Sequence, residues 1–167
     1  TRVERRLSEE DRSSRNGIKG IWEKLNIDSF SKLENLLKGF LPEEYKKFML
    51  EHNGGRPIRR LAFSFMEYDP EMNESFENEL DIYSFNKLED IPFFYDNLFS
   101  SELIPEQYCP IADDSCGNEV LLCVKEGENY GRIYFANHEL FYEDESWVIT
   151  KIADNFNSFL ELLQESI

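Results

Sequence analysis

Leu41–Tyr68 reads LPEEYKKFMLEHNGGRPIRRLAFSFMEY, and the change of period inside this stretch decides the fold class. Its first half predicts a helix. Pro42 suits the first helical position, and Glu43 and Glu44 sit where the positive end of a helix dipole favours acid. Tyr45, Phe48 and Met49 recur at helical spacing as a buried stripe. Asn53-Gly54-Gly55 then stops the helix with residues that tolerate positive φ. Beyond Gly55 the apolar residues Leu61, Phe63 and Phe65 alternate, which predicts a strand.

Working outward, Ser31-Lys32-Leu33-Glu34 has the spacing of a capping box and predicts a preceding helix with Leu33, Leu36, Leu37 and Phe40 on its apolar face. Ile18, Ile21, Trp22 and Leu25 predict a short helix before that. Downstream, DIYSF (81–85), CPIADD (109–114), EVLLCV (119–124) and NYGRIYF (129–135) read as strands. LEDIPFFYDNLFSSEL (88–103) reads as a short helix with Phe93, Phe94, Leu98 and Phe99 inward. Asp154 is the expected N-cap of a closing helix with Phe156, Phe159, Leu160, Leu163 and Ile167 on one face. N-terminal helices, a central mostly antiparallel sheet and a C-terminal helix make an α+β fold.

The length of 167 residues suits one domain, and a chain that is 41% hydrophobic with 14 Phe and 8 Tyr can fill a core. Residues 1–17 read as a mobile or linker arm and 18–167 as the domain. The formal charge is −16. Residues 1–20 carry a net +2, so the remainder carries −18. Such acidity opposes phosphate backbones and anionic membrane surfaces, so neither nucleic acid nor membrane is expected as a partner. Cys109, Cys116 and Cys123 form no C-x-x-C pair, and with no apolar leader in the first twenty residues they suggest a reducing compartment. The expectation is a cytoplasmic protein.

Three motifs, taken together, resemble the SUKH superfamily. One is LPEEYKKFMLEHNGGRP (41–57), with Pro42, Tyr45, Asn53, Gly54 and Gly55 at the positions that carry the likeness. The second is PIADDSCGNEVLLCV followed by YGRIYFANHE (110–139), where Asp113, Asp114, Gly117 and Asn118 match. The third is the closing IADNFNSFLELL (152–163). Cys116 stands where the family usually has Gly, and Ala136 where it is often bulkier; residues 1–29 lie outside the likeness. The resemblance implies a small α+β domain without catalytic activity. It also implies a binding role, as a bacterial immunity protein that neutralises a cognate toxin, often a nuclease. The alternative is a regulatory or scaffolding module of the same fold, as in regulators of cell-wall assembly.

Other chemistry is poorly supported by the residues. Asp113 and Asp114 are neighbours on one strand and point to opposite faces, as a turn-capping pair does, whereas a catalytic dyad needs convergence. Glu67-x-Asp69-x-Glu71-x-Asn73 lacks the Gly and Glu of a calcium loop, so no metal or other cofactor is expected. The remaining hydrolase arrangement uses Asp113, Asp114 or Cys109 with His138, and it would need those side chains within hydrogen-bonding reach in one pocket. The acidic run is different. Glu67, Asp69, Glu71, Glu74, Glu77, Glu79 and Asp81 fall within residues 66–81 with no base among them. The ordinary reading is a solvated loop or sheet edge. Met66, Tyr68, Met72 and Phe76 among these acids instead suggest an interface for a basic toxin, with Tyr68 and the seven acids as its contacts.

Overall fold

The computed structural model describes residues 25–165. The arm at 1–17, the helix expected over Ile18–Leu25 (all but Leu25) and Ile167 lie outside the described residues. The elements run α1 (Ser29–Leu37), α2 (Glu43–His52), β1 (Ala62–Asp69), β2 (Glu74–Phe85), a 3-10 turn at Leu88–Asp90 and α3 (Ile91–Ser100). They continue with β3 (Tyr108–Asp114), β4 (Glu119–Cys123), β5 (Ile133–Phe141), β6 (Trp147–Ala153) and α4 (Phe156–Glu165). The strands form one antiparallel sheet in sequence order. The expected α+β class is the one observed.

The Leu-Pro to Gly-Gly stretch behaves as its residues dictate. Pro42 is the extended N-cap of α2, one residue before the first helical position expected for it, and the acids Glu43 and Glu44 occupy the first turn. Tyr45, Phe48 and Met49 are buried. Asn53 is left-handed at φ 43°, and its backbone N–H donates to the Met49 carbonyl at 2.8 Å. Gly54 follows at φ 80°, where a Cβ would lie 2.7 Å from the Phe85 carbonyl oxygen. Gly55 then exchanges backbone hydrogen bonds with Phe85 at 3.0 and 2.9 Å. The Asn-Gly-Gly turn therefore bolts α2 onto β2.

The sheet separates two apolar clusters. One face, with Leu80, Ile82, Phe85, Ile111, Val120, Leu122 and Phe135, packs against Phe30 and Leu37 of α1, Phe48 of α2, and Phe156 and Phe159 of α4. The other carries Tyr108, Leu121, Cys123, Tyr134 and Ala136 beneath Leu98 and Ile104. Strand β4 alternates between the two clusters and is buried on both sides, which explains its unbroken apolar run. The sheet also curls. Phe65 of β1 meets Phe135 of β5 edge-to-face with ring centroids 5.1 Å apart, and Phe63 meets Phe159 likewise at 6.2 Å. The β1–β2 hairpin is thereby folded over the helix-bearing inner face.

Several local expectations are corrected. The cap of α1 is a reciprocal pair at Asn26 and Ser29, whose backbone N–H groups donate to each other's side chains at 3.1 and 3.2 Å. Ser31 lies inside the helix, and Glu34 accepts from the Leu41 N–H at 3.0 Å and pairs with Lys46. Lys38, at φ 54°, ends the helix, so Phe40 leaves the apolar face and is 67% exposed; Leu36 is exposed too. Helix α3 turns Ile91, Tyr95 and Leu98 inward, and Phe93 and Phe99 lie on the outside. Spacing from Ile91 sets that face, not aromatic content. Strand β6 was not among the expected strands. The cap of α4 is Asn155, accepting from the Ser158 N–H at 2.8 Å, while Asp154 pairs with Lys151.

Candidate functional site

The acidic run is a hairpin. Its register pairs Met66 with Glu77, Ser64 with Glu79 and Tyr68 with Ser75. Period-two geometry then gives it two faces. Phe63, Phe65 and Glu67 turn inward, and Ser64, Met66 and Tyr68 turn outward beside Glu77, Glu79 and Asp81 of β2. Asp69 closes the turn by accepting from the N–H groups of Glu71 and Met72 at 3.0 and 3.3 Å. Asn73 is left-handed there and accepts from the Tyr68 hydroxyl. Glu71, Met72 and Glu74 are exposed at the tip.

Of the expected contact residues, Glu67 is misplaced. It is 1% exposed, with its carboxylate accepting from Asn137 at 3.2 and 3.3 Å and from Asn78. Burial pushes its pKa up, and the amide hydrogen bonds hold it partly down. It braces the hairpin and cannot meet a partner. Period two was the signal: Glu67 shares a face with Phe63 and Phe65. The acidic stripe is also less bare than its sequence suggests, because Arg60 pairs with both Glu79 and Asp81. Glu77 has no ion pair among the described residues.

The second motif builds the β3–β4 turn. One Asp114 oxygen accepts from the N–H groups of Cys116 and Asn118, both at 2.9 Å, and the other from the Asn118 amide at 2.8 Å. The Asn118 side-chain oxygen in turn accepts from the His138 N–H at 3.0 Å, tying the turn to β5. Gly117, at φ 93°, lies under the His138 ring, where a Cβ would be 3.3 Å from Nε2. Asp113 turns to the opposite face, as expected for a strand neighbour. It lies directly across from Glu119. One oxygen of each is buried without a hydrogen-bond partner. Burial first, and the neighbouring acids second, push Asp113 up to about 6 and Glu119 to about 8.

No nucleophile is assembled from the candidates. Cys109 sits in the inner cluster, fully buried, and burial pushes its thiol well above the ordinary range. That is the reverse of thiolate activation. His138 packs on Gly117 and Trp147 at the other end of the sheet. Among the described residues no group of three or more His, Cys, Asp or Glu side chains could hold a metal ion.

Both motif segments thus have definite places in one fold: Asn53-Gly54-Gly55 joins helix to sheet, and Asp114 to Asn118 closes the central hairpin. The family model of SMI1/KNR4 (SUKH-1) matches residues 24–162. The chain belongs to the SMI1/KNR4 family (SUKH-1). No curated protein matches the chain. Within this SUKH-1 domain, Pro42, Tyr45, Asn53, Gly54, Asp114, Gly117 and Asn118 all serve helix starts, core or turns. No described helix is long and apolar enough to cross a membrane. The outward face of the acidic hairpin exposes Met66 and Tyr68 beside Glu77 and Glu79.

Proposed function

We propose that this SUKH-1 chain is a cytoplasmic immunity protein that binds a cognate toxin and neutralises it by occlusion, without catalysis. One observation carries the reading: Glu77, Glu79 and Asp81 project from one face of β2 beside exposed Met66 and Tyr68. Apolar and aromatic side chains ringed by charge make a suitable interface centre. Clustered acid on a protein of charge −16 draws in a basic surface such as a nuclease cleft, and it acts mostly on association rate. The contact set is Tyr68, Asp69, Glu71, Glu74, Glu77, Glu79 and Asp81, with Met66 and Met72. Glu67 supports the set from behind.

The test is direct. The full chain is mixed with the toxin domain encoded by the neighbouring gene, and association is followed at low and high salt. The expected result is a complex whose association rate falls by one or more orders of magnitude as salt rises. Absence of a complex at low salt overturns the reading and favours the regulatory module outside any toxin system.

A further inference from the structure

Strand β1 is the first strand of the sheet, and among the described residues no strand is hydrogen-bonded to one of its sides, although β6 passes close to it. The Ile82 N–H donates to the Leu61 carbonyl at 2.9 Å, which fixes the hydrogen-bonding phase of the hairpin. In antiparallel pairing, alternate residues bond to the neighbour. Phe63, Phe65 and Glu67 therefore direct their backbone groups to β2. Ser64, Met66 and Tyr68 aim theirs at the open side. All three are exposed, and no hydrogen bond on that side occurs among the described residues.

Natural sheets protect such an edge with lysine, proline, a bulge or a covering segment. From Ala62 to Asp69 there is no lysine, no proline and no shift of register, and β6 and α4, which approach β1, make no hydrogen-bonded strand pairing with it among the described residues. The edge is also held in place. Glu67 is anchored to Asn137, and Phe65 packs edge-to-face on Phe135, so an incoming strand meets a preformed template with little left to order.

We infer that β1 is a strand-addition site, and that its occupant is an extended segment of a basic protein partner. The open amides and carbonyls of Ser64, Met66 and Tyr68 would pair with that segment's backbone. Its basic side chains would reach over small Ser64 toward Glu77 and Glu79, and its apolar ones would lie on Met66 and Tyr68. Charge selects this occupant over a second copy of the chain. Edge-to-edge pairing of two such chains, each of charge −16, would bring together hairpins that both carry Asp69, Glu71, Glu74 and Glu77. The toxin as source of the segment rests on the immunity reading above; the open edge does not.

Hydrogen exchange on the full chain tests the inference. With the neighbouring-gene toxin domain bound, the amides of Ser64, Met66 and Tyr68 are expected to slow at least about tenfold. Met66→Pro removes a donor that the hairpin does not use, so the fold should survive and binding should weaken roughly tenfold. Ser64→Pro is the second variant should the first fail to fold. A bound toxin that leaves these amides fast, or that binds a folded proline variant with unchanged affinity, overturns the strand-addition site while the immunity reading stands. If the toxin domain does not bind, the immunity reading fails and the edge is tested with a peptide of alternating lysine and valine. Protection of the three amides by that peptide, and not by alternating glutamate and valine, upholds the site; no protection overturns it. Concentration-dependent dimerisation that protects the same amides without partner replaces the basic segment with a second copy.

Discussion

Asn137 donates to both carboxylate oxygens of Glu67, at 3.2 and 3.3 Å, across 70 residues of chain. The contact joins the first strand of the sheet to the fifth and fixes how far the acidic hairpin bends over the core. Asn137 is itself held, since its side-chain oxygen accepts from the Glu139 N–H at 2.9 Å. Replacing Asn137 with Ala leaves a buried carboxylate with fewer donors. The expected loss is about 1–3 kcal/mol, measured by denaturant unfolding, with hydrogen-exchange protection falling first in β1 and β2.

Asp113 and Glu119 make stability depend on pH in an unusual direction. Both have folded-state pKa values above their ordinary ones, at about 6 and about 8. The unfolded chain therefore releases these protons first as pH rises. Their contribution to stability falls between about pH 4 and pH 8, and the penalty is complete above the folded-state values. Glu119→Gln removes the ionising group and keeps the shape. It is expected to stabilise the protein by about 1–2 kcal/mol at pH 8 and to do little at pH 4, read from melting curves at the two values.

Gly54 cannot be replaced cheaply. Ala at that position meets the Phe85 carbonyl and the Asn86 backbone, and it must also hold a φ of 80°. A loss of about 1–3 kcal/mol is expected from the backbone conformation alone, and more from the clash. The Tm of Gly54→Ala measures the sum, and Gly127→Ala, at φ 140° with nothing within 4 Å of its Cβ, reports backbone strain without the clash.

Asp114→Ala removes the acceptor of three hydrogen bonds in the β3–β4 turn. The expected cost is about 2–3 kcal/mol, because bonds to a charged acceptor are the stronger kind. Loss of protection at the Cys116, Asn118 and His138 amides would localise it.

Charge on the hairpin should govern association without governing stability. Glu77→Gln combined with Glu74→Gln removes two exposed acids that make no ion pair among the described residues. Stability is expected to change by no more than about 0.5 kcal/mol. Association with the neighbouring-gene toxin domain should slow severalfold at low salt, with dissociation little changed, in stopped-flow measurements. An unchanged association rate would separate the acid from the interface.

Much of the fold could be read from residues that act locally. Tyr45, Phe48 and Met49 mark the buried side of α2, and Asn53-Gly54-Gly55 marks its end, because helix period and positive φ are properties of a few consecutive residues. Strand β6 was harder to see: WVITKIA carries polar and apolar residues without clean alternation, and its pairing comes from β5. Phe93 and Phe99 face outward because the helical phase set by Ile91, not aromatic content, decides the buried side of α3. The acidic run is legible as acid in composition, and its two faces follow from period two, which puts Glu67 on the side of Phe63 and Phe65.

Local sequence sufficed for the α+β class, the helix stops, the central hairpin with its Asp114–Asn118 turn, and the acidity of residues 66–81. These follow from short-range geometry and composition. Long-range packing alone settled that Asn137 is the partner of Glu67, that Asp113 lies across from Glu119, and which side of β1 lacks a hydrogen-bonded strand. Each of those depends on strand register and on the curl of the sheet. Register and curl arise from contacts between residues far apart in the chain, such as Phe65 with Phe135 and Glu67 with Asn137.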